Sequence, residues 1–444
     1  MNFWNPWWRG EAEALDRLVN RPSLLEVRPW FDRKEILAIT GVRRCGKSSL
    51  MHLLIRECLA KMPAEQVLYV NFEDMAFEKS TIQQVIEEHE RLMAPSGRRY
   101  VFLDEVQLKP GWERALKRYY DGLVDIKFVV SGSNSSLLRT EYSTHLTGRD
   151  ISFELFPFSF WEFVQVRGIA IREELDLIAN RLRLQRLMDE YIRHGGFPEV
   201  VLAEGESAKG QLLKGYVSAI IYRDVIGRHV VREKGKLEKL AAFLATNTSK
   251  YVSSTSIGKM LDLNTGTVED YLDHFRDAYL FIPVYHHDYS LKVQYVHPRK
   301  VYCIDTGLRN AMSFRFTEDI GRLMENLVFL RLMRSGDVYY WKDDKGEVDF
   351  VVQRGLDVTD VVQSCYDLTE AKTRKRETGA LLRAMGHFKL GRGTIVTWDE
   401  EGEERVGGKV IEYRPLWRWL LEGRAGQETP GNRGKRRKSR QPSH

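Results

Sequence analysis

The chain has 444 residues, two to three times the size of a usual domain, and its 43% apolar content is enough to fill packed cores. Four cysteines, Cys45, Cys58, Cys303 and Cys365, show no C-x-x-C spacing, so neither a zinc site nor a disulfide framework is indicated, and no apolar run reaches the roughly 18 residues of a membrane span. The net charge of +6 is concentrated in residues 431–444, which hold six Lys/Arg and no acid, leaving the rest of the chain formally neutral.

Residues 1–34 form an aromatic lead with Trp4, Trp7 and Trp8, and a helical stretch is predicted around Glu11–Val19. The lead lacks the continuous apolar core of a signal peptide, so the cytoplasm is the expected location. The apolar run EILAIT at 35–40 then predicts a buried strand, GVRRCGKS at 41–48 a glycine loop, and SLMHLLIREC at 49–58 a helix. This strand, loop and helix order is the context that a G-x-x-x-x-G-K-[ST] phosphate loop needs. Gly41 and Gly46 let backbone N–H groups turn toward phosphate oxygens, Lys47 supplies a charge, and Ser48 offers a hydroxyl to Mg²⁺. Arg44, Cys45 and Ser49 complete the expected nucleotide contacts, and Arg43 and Arg44 are expected to face solvent or a neighbouring subunit. A thiol at position 45, near a helix N-terminus and Lys47, is expected to have a lowered pKa, which opens a redox reading beside the plainer one of a small loop residue.

RRYVFLDEVQ at 98–107 is an apolar strand that ends in two acids. Asp104 is expected to hold Mg²⁺ and Glu105 to polarise the attacking water. A third strand, IKFVVSGSN at 126–134, ends in Ser133 and Asn134, either of which is placed to contact the γ-phosphate or the water. LTGR at 146–149 and a strand-like 151–160 follow. Leu and Ile then recur at helical spacing through about 173–228. Between 233 and 300, a helix at 237–246, a second at 253–261, a turn and a third at 265–279, followed by strands at 280–285 and 293–297, suggest a winged-helix unit. Its third helix carries Glu269, Asp270, Asp273 and Asp277 against Arg276, with Val268, Tyr271, Leu272 and Phe275 as its buried face. Four acids disfavour its entry into a phosphate-lined groove.

The strand order, the polar residues after the third strand and the arginine before the next resemble the AAA+ ATPases. Within them, the chain resembles prokaryotic ATPases that carry a C-terminal domain of unknown function with a nuclease-like fold. GVRRCGKSSL, VNFED, VFLDEVQ, SGSNSSLL, LTGRDISFELFPFSFWEF, GGFPEVV, YRDVIGR, YCIDTGLRNAM and GEVDFVV carry this resemblance. It implies an α/β fold. The expected units are a lead (1–34), an AAA+ P-loop core with a parallel sheet (35–165), a helical lid (166–232), a winged-helix-like unit (233–300), a PD-(D/E)xK-like α/β domain (301–420) and a basic tail (421–444). It also implies that Arg149 projects across a subunit boundary toward the γ-phosphate, and hence a homo-oligomer, a hexamer or another ring. In the last domain Glu325 and Asp349 match the opening of the nuclease pattern. Gln363 stands in the place of the second strand acid and Cys365 in the place of the lysine, so the scaffold is expected to persist without its chemistry.

ATP and Mg²⁺ are thus the expected cofactors and ATP hydrolysis the expected reaction. The basic tail and accessory units favour DNA as the partner, whereas the acidic helix and neutral body favour a protein. A metabolite kinase is disfavoured, because some 280 residues follow the nucleotide core without a recognisable acceptor pocket; phosphate release without a phosphorylated acceptor would exclude it.

Overall fold

The computed structural model describes residues 1–134, 146–313 and 320–422. Five strands, β1 (Ile36–Thr40), β2 (Val67–Asn71), β3 (Arg99–Asp104), β4 (Ile126–Gly132) and β5 (Asp150–Glu154), form a parallel sheet in the order β2-β3-β4-β1-β5. β1, β3 and β4 are buried throughout, as expected where both faces of a parallel sheet are covered. Within β1, Leu37 and Ile39 enter one core and Ile36 and Ala38 the other, following the two-residue period of a strand. Helices α1 (Ser23–Phe31), α2 (Lys47–Leu59), α3 (Ile82–Met93) and α4 (Trp112–Asp121) flank this sheet.

The lead is not a free segment. Asn5 pairs with both backbone groups of Tyr69, donating to its carbonyl at 2.9 Å and accepting from its N–H at 2.7 Å. Trp7 and Trp8 both donate to Val67 O. Together they cover the edge strand β2, whose backbone would otherwise be open to pairing. The helix predicted at 11–19 is only a 3₁₀ turn, Glu13–Arg17, and the α-helix of this region is α1.

Beyond β5, helices at Phe160–Val166, Arg181–His194 and Glu206–Ala219 lead into a π-helical turn, Ile220–Ile226. Helices at Lys234–Thr246, Ser254–Leu261 and Thr265–Asp277 follow, with β6 (Tyr251–Val252), β7 (Phe281–Val284) and β8 (Arg299–Cys303) in an antiparallel sheet ordered β6-β8-β7. The strand expected at 293–297 is instead the short helix Leu291–Val296, and the true strand begins at Arg299. The boundary drawn at residue 300 therefore cuts β8. Val268, Tyr271, Leu272 and Phe275 form the buried face of their helix.

The last six strands, β9 (Asp337–Asp343), β10 (Gly346–Arg354), β11 (Asp357–Cys365), β12 (Arg392–Thr397), β13 (Gly402–Val406) and β14 (Lys409–Pro415), form a mixed sheet ordered β13-β14-β12-β11-β10-β9. The helices Ile320–Leu332 and Ala371–His387 pack against it through separate cores. The basic residues at 431–444 lie outside the described residues.

Candidate functional site

In the sheet order, β3, β4 and β1 are neighbours, so their carboxyl ends converge: Thr40 lies opposite Gly132, and Leu103 opposite Val130. Crevices at such strand ends are where open α/β sheets bind ligands. Gly41 leaves β1 with φ 144°, and a Cβ there would stand 2.0 Å from Leu155 O. Gly46, at φ 104°, caps the start of α2. Both turns demand glycine, and α2, which begins at the crevice, leaves its first N–H groups without partners inside the helix. Lys47, 5% exposed, donates to Gly41 O at 3.0 Å and Val42 O at 3.2 Å.

Ser48 Oγ donates to Asp104 Oδ2 at 2.5 Å, Tyr69 OH donates to the same oxygen at 2.7 Å, and Ser131 Oγ donates to Asp104 Oδ1. Glu105 adopts the left-handed region, φ 52°, with its N–H bonded to Ser131 Oγ at 3.1 Å. That conformation is unusual for a side-chain-bearing residue, and it carries the carboxylate to Ser133 Oγ, which donates to Glu105 Oε2 at 3.1 Å. Burial alone would raise the Glu105 carboxyl, but Lys47, Arg43, Gln107 and Arg228 outweigh it and hold the carboxyl below its ordinary value. Glu105 is therefore ionised at neutral pH.

Three residues that the sequence motifs left out complete the cluster. Asp224, on the π-helical turn and 1% exposed, accepts from Arg43 Nε at 2.8 Å and from Arg43 Nη2 at 3.1 Å. It also accepts from Arg228 Nη2 at 2.8 Å, and its Oδ1 lies 3.0 Å from Ser133 Oγ, whose single proton is shared between Asp224 and Glu105. Arg43 thus turns inward, against the expectation that it faces solvent. Asp224 and Glu73 raise its pKa, although burial opposes them. Arg44 meets that expectation, exposed and 3.6 Å from Glu199. Arg21 braces the loop from behind, donating to Cys45 O and Phe156 O at 2.9 Å each and pairing with Glu162 at 2.8 Å.

Cys45 departs from expectation. It is fully buried, and burial raises its thiol above the ordinary value, outweighing Lys47 and Arg21. The reactive thiolate of the redox reading is absent. Ser49 is exposed on the first turn of α2, and Asn134 is buried beside Ser133. Arg149 is not brought to this cluster. It precedes β5, and its carbonyl accepts from Ile36 N, at the amino end of β1. A five-residue strand separates it from the phosphate loop by about 15 Å. It pairs there with Asp121 at 2.9 Å.

In the C-terminal sheet the expected residues do meet, with an addition. Lys300, on β8 and 4% exposed, places its ammonium 3.2 Å from Glu325, 2.6 Å from Glu347 and 2.9 Å from Asp349. Gln363 bridges, accepting from Asp349 N at 3.1 Å and donating to Glu377 at 2.8 Å. Cys365 is buried, with its thiol pushed up to about 11 by burial first and then by Glu377. A lysine is thus present, supplied from outside the motif and held by three carboxylates. Among the described residues, no group of three His, Cys, Asp or Glu side chains is arranged to hold a metal.

Residues 33–164 match a family model described as an AAA domain, and residues 185–319 match one described as a domain of unknown function. Uncharacterized protein MJ1544 of Methanocaldococcus jannaschii is 30% identical over 427 residues, which cover 93% of each chain. The chain belongs to the family of that archaeal protein. A second relative, an uncharacterized protein of Haemophilus influenzae, is 29% identical over 91% of this chain and 99% of its own. Among solved structures, the Aeropyrum pernix ORC1 protein in complex with DNA is 16% identical and covers 68% of this chain and 92% of its own, but its TM-score of 0.31 carries no argument.

The AAA domain has the donor set for a magnesium nucleotide. The glycine turns leave a backbone cradle, and Ser48 and Asp104 present oxygens side by side at its base. Hard oxygen donors of this kind suit Mg²⁺, which Ser48 and Asp104 would hold. Among the described residues, no helix is long and apolar enough to cross a membrane.

Proposed function

We propose that this chain hydrolyses ATP with Mg²⁺ as an AAA+ homo-oligomer and couples nucleotide state to a macromolecule, with DNA ahead of protein as that partner. The observation that carries the reading is the junction of Ser48, Asp104, Glu105 and Ser133 within hydrogen-bond reach at the ends of three adjacent strands. The loop N–H groups and Lys47 bind the phosphates. Mg²⁺, when bound, neutralises developing phosphate charge. Glu105, ionised by its cationic neighbours, orients and polarises water, and Ser133 or Asn134 would contact the γ-phosphate or that water. Arg149, remote from the site of its own chain, is the group that a neighbouring subunit would receive.

DNA is favoured by the basic residues at 431–444 and by the order of three helices and a small antiparallel sheet at 234–303, which fits a winged helix. A protein partner is favoured by the exposed Asp270 and Asp273 on the helix Thr265–Asp277. Cleavage by the last domain is disfavoured, because the Lys300 ammonium fills the space among Glu325, Glu347 and Asp349.

Glu105→Gln should retain ATP and lose phosphate release by two or more orders of magnitude, roughly the cost of removing a catalytic base. The ATP-bound variant, isolated at two salt concentrations, should carry nucleic acid that is shed at the higher salt. A co-purifying protein without nucleic acid would select the second reading, and unchanged phosphate release would remove Glu105 from the chemistry.

A further inference from the structure

Asp224 lies outside every nucleotide motif, yet it is the anion on which both arginines of the site converge. Arg43 comes from the phosphate loop and Arg228 from the end of the π-helical turn. Ser133 Oγ stands between two carboxylates, 3.0 Å from Asp224 and 3.1 Å from Glu105. Arg228 Nη2 is likewise shared, but unequally: it is 2.8 Å from Asp224 and 3.9 Å from Glu105, and it donates to Ser133 Oγ at 2.7 Å. Two carboxylates therefore compete for one guanidinium, and the nearer holds it in a charge-assisted hydrogen bond.

That division has a chemical consequence. A carboxylate that polarises water must keep a lone pair free for it. If Arg228 closed on Glu105, the pair would neutralise the carboxylate and occupy the direction from which water is polarised. Asp224 prevents this by giving Arg228 a closer anion, and the same carboxylate fixes Arg43 through two bonds, so the loop and the π-helical turn are tied at one point. π-helical turns are short distortions often kept at functional sites. Here the turn carries Asp224 and ends two residues before Arg228.

We propose that Asp224 is a positioning residue for hydrolysis, which sequesters Arg228 so that Glu105 remains free to polarise water. This rests on the role given to Glu105 above. It predicts a loss in turnover without a matching loss in nucleotide binding, because Asp224 holds the loop only through the Arg43 side chain and bonds neither Lys47 nor Ser48 in any contact described above.

The test uses the full chain and follows ATP turnover together with the affinity of a fluorescent ATP analogue. Asp224→Asn should lower kcat about tenfold or more and leave KM and analogue affinity within about threefold. Asp224→Glu, which keeps the charge, should recover part of the loss. Adding Arg228→Gln to Asp224→Asn should restore turnover above that of the single variant, because the released guanidinium is the inhibitor. Unchanged kcat in Asp224→Asn, or a double variant as slow as the single one, would overturn the proposal. If Asp224→Asn does not fold, Asp224→Ser removes the charge while keeping a hydroxyl for Ser133 and is judged by the same outcomes. If Glu105→Gln turns over ATP like the unmodified chain, the reading of Glu105 fails and the inference fails with it. An inactive Glu105→Gln beside an unimpaired Asp224→Asn sinks the inference alone.

Discussion

Arg149 donates to Asp121 at 2.9 Å across the surface and lies over the Tyr120 ring. Both partners are about a third exposed or more, 31% and 45%, and solvent screens such a surface pair so that it holds the arginine only weakly. In the proposed oligomer, the arginine would leave it at little cost to meet a neighbouring subunit's triphosphate. Arg149→Ala should therefore keep ATP affinity and melting temperature while losing turnover by roughly three orders of magnitude, the scale of an arginine finger. Steady-state hydrolysis at increasing protein concentration measures this, and undiminished turnover would take Arg149 out of the reaction. At this scale legibility depended on contiguity. Gly41–Ser48 and Asp104–Glu105 are readable because each motif is unbroken in sequence. Arg43 was misread because its partner Asp224 is 181 positions away, and nothing local announces a buried carboxylate in YRDVIGR. Cys45 was misread because helix and lysine effects are local, whereas burial, the larger effect, is set by distant packing.

Among the elements, two of the stretches that carry the family resemblance turn out to be partners. Gly195 and Gly196 form the turn after the helix Arg181–His194, and Gly196 N donates to Asp305 Oδ2 at 2.7 Å. Asp305 also caps the helix Thr306–Met312 through Leu308 N at 3.0 Å. A Cβ on Gly196 would meet Phe158 O at 2.1 Å, and one on Gly195 would meet the Asp305 carboxylate at 2.0 Å. Backbone cannot yield as a flexible side chain does, so Gly196→Ala should destabilise the chain by about 3 kcal/mol or more, read as a lowered denaturation midpoint. A shift within error would mean that the turn relaxes. The sequence shows two adjacent glycines here but not what they approach. The misplaced strand at 293–297 has a similar origin. VQYVH has the β-branched and aromatic composition of a strand, yet the ladder to Tyr251–Val252 and Phe281–Val284 is taken by RKVYC, residues 299–303. Propensity was overridden by register, a tertiary property.

Across the whole molecule, Lys300 joins the small antiparallel sheet to the C-terminal one. Burial pushes the Glu325 carboxyl up to about 7, even with the Lys300 ammonium opposing it, and Asp349 adds to the rise. Its carboxyl holds a proton in the folded chain at pH values where the unfolded chain has released it. The stability it contributes is therefore complete below about pH 4.5 and is lost as pH rises through about 7. Denaturation midpoints measured across that window should fall, and Glu325→Gln should flatten the decline by on the order of 2 kcal/mol. Equal slopes in both proteins would show that Glu325 does not titrate there. The α/β core was legible at this scale, since buried parallel strands are apolar runs and their ends carry the motifs. The lysine was not, because it lies on β8 while the acids it neutralises lie on β10 and on the helix Ile320–Leu332.

Arg21 has a practical implication for dissecting the chain. It grips the phosphate loop through Cys45 O and, through Glu162, stands one residue away from Arg334, which is 3.8 Å from the same carboxylate. A fragment cut at residues 35 and 165 would lose Arg21, Asn5, Asp224 and Arg228 together. It would retain every recognisable nucleotide motif, yet its inactivity would be no evidence against the activity proposed for the intact chain.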